Sequence, residues 1–330
     1  MQLLRKIGFP ISLVYAVVVR LRNYFYDTGI FTGKSFATPT LCVGNLSVGG
    51  TGKTPMIEYL ASELQDTRKI AVLSRGYGRR SKGFVLAGPN STVLELGDEP
   101  FQIYSKFPGL TVAVDADRRN GISILEAEIA PDLILLDDAY QHRRVKPSFS
   151  ILLTAYDHLY CDDWYLPTGD LRDSRYTAKR ADLIVVTKCP DHLGQTEQND
   201  IRKKLHPLPD QQVLFSTLAY DGELKGLPTP KPLMWLKTKK LTLVTGIARP
   251  QPLLEFLKGQ GISFEHLSYR DHHFFTEKEI RSLNGREMVL TTEKDFVRLK
   301  GKVDQLCYLG IKHQFLGKGK KALSDALTTL

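Results

Sequence analysis

Residues 40–54 read TLCVGNLSVGGTGKT, and this stretch decides the fold. Thr40–Val43 is a short apolar run of the kind that forms a strand covered on both faces. Gly44-Asn45-Leu46-Ser47-Val48-Gly49-Gly50-Thr51-Gly52-Lys53-Thr54 follows, and a helical pattern then runs over Lys53–Glu63. A glycine-rich turn between a strand and a helix start is the setting of a Walker A loop. Glycines let successive amides turn toward one anion, and the helix N-terminus adds partial positive charge. Ser47, Val48, Gly49, Gly50, Thr51, Gly52, Lys53 and Thr54 are therefore expected to hold the phosphates of a nucleotide. Lys53 would reach the β- and γ-phosphates, and the Thr54 hydroxyl would bind Mg²⁺. The strict pattern has glycine where this chain has Ser47; Gly49 and Gly50 supply the freedom instead. The alternative is a glycine-rich βα turn that binds no nucleotide.

Outward from the loop, apolar runs alternate with helical ones. Further strands are expected at Ile70–Ser74, Thr111–Val114, Leu133–Leu136, Ser150–Leu153, Leu183–Thr187, Val213–Thr217, Leu241–Thr245 and Met288–Thr291. Helices are expected at Arg119–Ile129, Gln251–Lys258 and Glu277–Leu283. This alternation implies an α/β fold with a parallel sheet. The run Leu133–Asp138, LILLDD, has Walker B form: an apolar strand that ends in acid beside the phosphate-loop metal. Asp138 is the expected metal carboxylate, and Asp137 would orient a ligand or water. Asp221–Pro232 is rich in Gly and Pro and reads as a linker. The expected organisation is an N-terminal helix over 1–25, a P-loop domain over 26–222 and a smaller α/β domain over 223–330.

The chain has 330 residues, 42% hydrophobic and 25% charged, which excludes wholesale disorder and a polytopic membrane protein. Its four cysteines form no C-x-x-C pair and read as reduced thiols. A net charge of +9 favours anionic partners: nucleic acid, acidic lipid or phosphorylated substrates. Some of that charge flanks the apolar run at residues 7–19. Arg5 and Lys6 precede it, and Arg20 and Arg22 follow. The run is shorter than the ~20 residues of a bilayer-spanning helix. It reads either as a helix lying in the membrane interface or as one buried on the domain.

Guanine specificity is unsupported, because neither Thr187-Lys188-Cys189-Pro190 nor Glu293-Lys294-Asp295 forms an N-K-x-D motif. A regulatory NTPase and a nucleic-acid-dependent ATPase remain open on the loop and the charge alone, although no aromatic-basic RNA motif is visible. Other clusters look ligand-facing. Ser74-Arg75-Gly76-Tyr77-Gly78-Arg79 follows a strand. Asp98, in Gly97-Asp98-Glu99-Pro100, sits at a helix start and has a plain capping role as its alternative. Asp271-His272-His273 lies near the C-terminal end, where a His pair is often only a polar loop.

In this order GNLSVGGTGKTP, SRGYGR, GDEP, DDAYQH, LRD, DHH and TEKD resemble the tetraacyldisaccharide 4′-kinases, the LpxK family. The resemblance spans nearly the whole chain. Two positions depart from the usual pattern: Ala139-Tyr140 stands where DDGLQH is common, and Asp173 where LRE is common. The resemblance implies transfer of the ATP γ-phosphoryl to the 4′-hydroxyl of an acylated disaccharide 1-phosphate. It gives Asp98 the role of general base with His272 as its partner. Arg75, Tyr77, Arg118, Asp137 and Arg172 become candidate substrate or phosphate contacts, with Glu293 and Asp295 at the cleft. It also implies a peripheral enzyme on the anionic cytoplasmic face of the inner membrane of a Gram-negative bacterium, with neither nucleic acid nor an obligate protein partner.

Overall fold

The two strands that carry the Walker-type motifs lie side by side. In the computed structural model, which describes residues 8–328 and 330, the elements begin with α1 (Phe9–Asp27), β1 (Thr40–Asn45), α2 (Lys53–Leu64), β2 (Ile70–Ser74) and β3 (Val85–Leu86). Next come α3 (Val93–Leu96), α4 (Asp98–Lys106), β4 (Thr111–Val114), α5 (Arg118–Glu128), β5 (Leu133–Asp137) and β6 (Phe149–Ala155). They continue with β7 (Leu183–Thr187), α6 (Gln195–Leu205), β8 (Gln212–Lys225), β9 (Lys231–Pro232), β10 (Leu241–Thr245) and α7 (Gln251–Gly259). The last are β11 (Phe264–Ser268), α8 (Glu277–Asn284), β12 (Met288–Thr292), α9 (Glu293–Leu299), β13 (Leu306–Phe315) and α10 (Gly319–Leu327).

Strand β1 pairs in parallel with β5 on one side and β6 on the other, so Val43 stands opposite Asp137. β1, β2, β5 and β7 are buried at every residue. That is why their sequences are apolar throughout rather than alternating. Separate apolar clusters pack on the two faces of this part of the sheet, one around Cys42, Leu136 and Ile184, the other around Val43, Ile57 and Leu135. Two more clusters, around Leu243 and Val289, fill the space about β10, β12 and β13.

The strand order is β11-β10-β12-β13-β8-β7-β6-β1-β5-β2-β4-β3, with β9 on β8. Pairing is parallel except at β3–β4, β8–β9 and β8–β13. Sheet therefore runs through the stretch read as a linker. β8 pairs with β7 along its first residues and then, from Ser216 to Lys225, with β13. Asp221–Lys225 belongs to this strand, and the expected boundary at 222/223 falls inside it. The polar composition has a local cause: Gly222 and Glu223 face solvent, while Asp221 pairs with Lys225 at 2.8 Å and Lys312 at 3.4 Å.

Helix α1 inverts the usual amphipathic rule. Its inward face is Ser12, Ala16, Val19 and Asn23. Its apolar side chains point outward, with Val14 66% and Val17 62% exposed. The attachment is polar: Ser12 Oγ bonds Thr168 Oγ1 at 2.8 Å, Tyr15 donates to the Arg172 carbonyl at 3.1 Å, and Asn23 Nδ2 donates to Asp173 Oδ1 at 2.8 Å. One face of the helix is thus buried on the domain, while the apolar face is not. Among the described residues no helix is long and apolar enough to cross a membrane. Arg5, Lys6 and Ile7, the start of the basic-apolar segment, lie outside the described residues.

Candidate active site

The phosphate loop is shaped by its glycines and fixed by side chains around it. Gly49 (φ 114°) and Gly52 (φ 86°) adopt left-handed conformations that a side chain would strain. Asn45, at the end of β1, donates to Thr51 Oγ1 at 2.9 Å and accepts from Lys53 Nζ at 3.3 Å. Ser47 does more than replace a glycine: its hydroxyl donates to Asp163 at 2.8 Å, and the Val48 amide donates to the Asp170 carbonyl at 2.7 Å. Thr187 Oγ1 donates to the Thr51 carbonyl at 2.8 Å. From β13, His313 Nε2 meets the Gly52 carbonyl at 3.0 Å, and its Nδ1 meets Ser216 Oγ at 2.9 Å. Burial lowers the His313 pKa to about 4. The ring is therefore neutral, and these partners assign its proton to Nε2.

The two acidic residues after β5 differ sharply. Asp138, at φ 49°, lies 3.7 Å from Lys53 and takes a two-pronged contact from Arg172, one arm at 3.0 Å. Burial works against its charge, yet Lys53 and Arg172 hold its carboxyl down to about 2. Asp137 is 1% exposed, and among the described residues its side chain accepts only from Ser74 Oγ, at 3.0 Å. Its other oxygen is buried without a partner among the described residues. Burial, then the charges of Glu99 and Asp138, push its carboxyl up to about 7. Arg118 is buried beside the pair at the start of α5, and its Nε has no partner among the described residues.

This is an environment that a divalent cation fits. Asp137 has an oxygen with nothing to bind, and three carboxylates repel one another around it. The expected metal ligand, Asp138, is already engaged by two cations; the unsatisfied oxygen belongs to Asp137. Asp173 has another job. It is fully buried, accepts from Asn23 and the Ser174 amide at 2.8 Å each, and so anchors α1.

The second half of the site assembles around Asp98. Gly97 has φ 89°, and a Cβ there would lie 2.8 Å from the Tyr77 carbonyl, so the SRGYGR loop packs directly on the GDEP turn. Asp98 does not cap its helix with its side chain. His272 Nδ1 approaches Asp98 Oδ2 at 2.6 Å, and Arg298 grips the same carboxylate through Nε at 2.9 Å and through its terminal nitrogen. Although burial opposes it, bonds from His272 and Arg298 hold the Asp98 carboxyl well below the usual range. Lys294 Nζ lies 3.1 Å from His272 Nε2. An ammonium can only donate, so the imidazole proton is assigned to Nδ1, facing Asp98.

The TEKD segment places three side chains in three ways. Glu293 pairs with Lys106 at 2.9 Å. Lys294 meets His272. Asp295 accepts from the Gly246 amide at 2.9 Å and from Arg298 at 3.2 Å. Gly246 in turn accepts from the His272 amide at 3.1 Å, which holds His272 in its left-handed conformation (φ 59°). Arg75 and Tyr77 are exposed at the mouth, the Tyr77 ring 6.0 Å from that of His272. The two halves adjoin through the SRGYGR loop: Ser74 bonds Asp137 at 3.0 Å, while Gly76 and Tyr77 pack on Gly97, next to Asp98.

A family model described as tetraacyldisaccharide-1-P 4′-kinase, LpxK, matches residues 4–330. The chain belongs to this family. A tetraacyldisaccharide 4′-kinase of Flavobacterium johnsoniae is 50% identical over 323 residues, covering 96% of this chain and 94% of the relative. One from Flavobacterium psychrophilum is 46% identical, covering 97% and 95%. A crystal structure of LpxK from Aquifex aeolicus in complex with ATP superposes with a TM-score of 0.79 at 29% identity, covering 96% of this chain and 97% of that one. The α/β, P-loop-like fold expected from the sequence agrees with that neighbour.

Within this LpxK-family chain, several site residues escape a reading of the sequence. Asn45 and Gln141 lie inside quoted motifs, and Gln141 Nε2 donates to the Asn45 carbonyl at 2.6 Å. Neither residue type announces a role. Arg298 is three residues past Asp295, and no spacing links it to Asp98, 200 positions away. His313 reaches the phosphate loop from 261 residues away, on a strand whose pattern did not stand out.

Proposed function

We propose that this chain transfers the γ-phosphoryl group of ATP to the 4′-hydroxyl of a tetraacyldisaccharide 1-phosphate at a membrane surface. The observation that carries this reading is the contact between the two halves of the site: a phosphate loop with Lys53 on Asp138, and beside it Asp98 held by His272. Family membership supplies the acceptor.

The loop amides after Val48, whose own amide is taken by the Asp170 carbonyl, bind the phosphates, and Lys53 follows the γ-phosphoryl group. Thr54 and Asp138, with the unsatisfied Asp137 oxygen beside them, would hold Mg²⁺, which supplies neutralisation of phosphoryl charge. Asp98 is the base. In a loose transition state the acceptor oxygen keeps its proton until the new P–O bond is well formed. A carboxylate with low basicity but fixed direction suits that late step. The sugar oxygen bonds to phosphorus, the bond to the ADP oxygen breaks, and the hydroxyl proton passes to Asp98. His272, donating through Nδ1, keeps the other carboxylate lone pairs aimed. Arg118 and Arg172 are placed to meet phosphate charge.

The acceptor's four acyl chains keep it in a bilayer, so the enzyme must reach the interface. The outward apolar face of α1, with Arg20 beside it, suits insertion among acyl chains and anionic headgroups. ATP supply puts this surface on the cytoplasmic side.

The test is a reaction with γ-labelled ATP, Mg²⁺ and the disaccharide lipid in detergent. Label on the 4′ oxygen of the sugar is expected. Folded protein that binds ATP yet leaves the lipid unlabelled would sink the reading.

A further inference from the structure

Away from the reacting groups, a buried ionic cluster ties three helices together. Lys106, at the last residue of α4, pairs with Glu58 of α2 at 2.6 Å and with Glu293, the first residue of α9, at 2.9 Å. Gln102, one turn earlier on α4, donates to Glu58 at 2.7 Å. Glu58 and Glu293 are 4% and 7% exposed.

The placement of this cluster is informative. α4 begins at Asp98 and ends at Lys106; α9 begins at Glu293 and carries Arg298 near its end. Asp98 pairs with Arg298, and Lys106 pairs with Glu293. The two helices are therefore antiparallel and joined by an ion pair at each end. Glu58 adds the third member, because α2 is the helix that the phosphate loop opens. One ammonium thus spans the helix that carries Lys53, the helix that carries Asp98 and the helix that carries Arg298. Two buried carboxylates share this single cation. Removing it leaves like charges facing one another across the junction of three helices.

We infer that Lys106 is a positioning residue for phosphoryl transfer: it sets the place of Asp98 relative to the phosphate loop without touching substrate. This rests on the reading of Asp98 as the base. A displacement of about 1 Å at a reacting centre can lower a rate by roughly 10²-fold, while nucleotide binding by a local loop is spared.

The experiment measures kcat, KM for ATP and ATP-binding stoichiometry in Lys106→Met, Lys106→Arg and Glu293→Gln, in the full chain. Lys106→Met is expected to lower kcat per ATP-binding site roughly 10–100-fold with KM for ATP within about two-fold. Lys106→Arg should recover much of the loss. Glu293→Gln keeps the Glu58 arm, should lose several-fold in kcat, and serves if Lys106→Met does not fold. The discriminating arm is the double variant with Asp98→Asn. A residue that acts through Asp98 adds little once Asp98 is disabled, so the two losses should be far from multiplicative. An unchanged kcat in folded Lys106→Met or Glu293→Gln, or a full multiplicative loss in the Asp98→Asn background, would overturn the inference. Failure of the base reading shows separately, as undiminished transfer by Asp98→Asn alone.

Discussion

The two halves of the site are built on opposite principles. The phosphate loop is contiguous: eight successive residues, Ser47 to Thr54, running from just after β1 into the first turn of α2, supply its amides, its lysine and its threonine. The Asp98 centre is dispersed. His272 comes from 174 residues away and Arg298 from 200. The first takes all its phosphate-binding groups from one glycine-shaped stretch of backbone, which the distant Asp163, Thr187 and His313 brace from outside. The second exists only when α4, α9 and the turn after β11 pack together. Nucleotide binding should therefore survive lesions that destroy transfer, and the reverse should be rare.

The sharpest way to break this contrast is Lys53→Ala. It should abolish transfer with the fold intact, since Lys53 is the cation that the loop itself carries to the γ-phosphoryl group; undiminished turnover in a steady-state assay would remove the loop from the mechanism. Arg298→Met comes next. Truncating one member of a buried pair costs on the order of 3–5 kcal/mol, read in a denaturant titration. It also releases Asp98 from one of the two groups, His272 and Arg298, that hold its pKa down. The folded-state pKa is depressed, so this pair's stabilisation is present above the unfolded value near 4 and is lost as pH falls through the folded value. In the variant, the acid limb of the rate profile should move to higher pH. An unmoved limb would detach Arg298 from Asp98.

Asp137→Asn tests the metal-facing end and should act in the opposite direction on stability. The Asp137 carboxyl is raised to about 7, so the wild-type protein loses stability as pH climbs toward that value. The nucleotide-free variant should melt a few degrees higher at pH 8, with the gain fading below about pH 6, and its transfer rate should fall. A lower melting temperature at pH 8 would show that Asp137 is satisfied in solution. The smallest effect on the fold is expected at α1. Val14→Glu with Val17→Glu changes exposed positions and should alter stability within about 0.5 kcal/mol per residue. Pelleting with anionic vesicles should drop while ATP affinity holds. Full pelleting would place the membrane contact elsewhere.

The same division sets what the sequence makes legible. The central strands are readable because both faces are buried, leaving unbroken apolar runs such as Leu133–Leu136. β11 and β13 are not: β11 has no fully buried residue, and β13 mixes buried, half-buried and exposed positions. The segment at Asp221–Lys225 misleads for a related reason: it is strand by virtue of its partner β13, while its composition reflects the solvent on one side. In the site, glycine spacing reveals the phosphate loop directly. Asp98 and His272 stand out as clusters in the sequence, but their roles come only through family resemblance. Arg298, Lys106 and His313 stay hidden, since each is an ordinary residue on an ordinary helix or strand until the tertiary fold brings it to a charge or a carbonyl. Asp173 shows the converse, an acid in a motif whose partner is the N-terminal helix.

The contrast is tested most directly by measuring ATP affinity and γ-phosphoryl transfer on the same preparation of Asp98→Ala. Retained ATP binding, with transfer reduced by roughly 10²–10⁴-fold, is the predicted result. Loss of both in equal measure would make Asp98 a nucleotide ligand, and transfer at the wild-type rate would leave the sugar hydroxyl without its base.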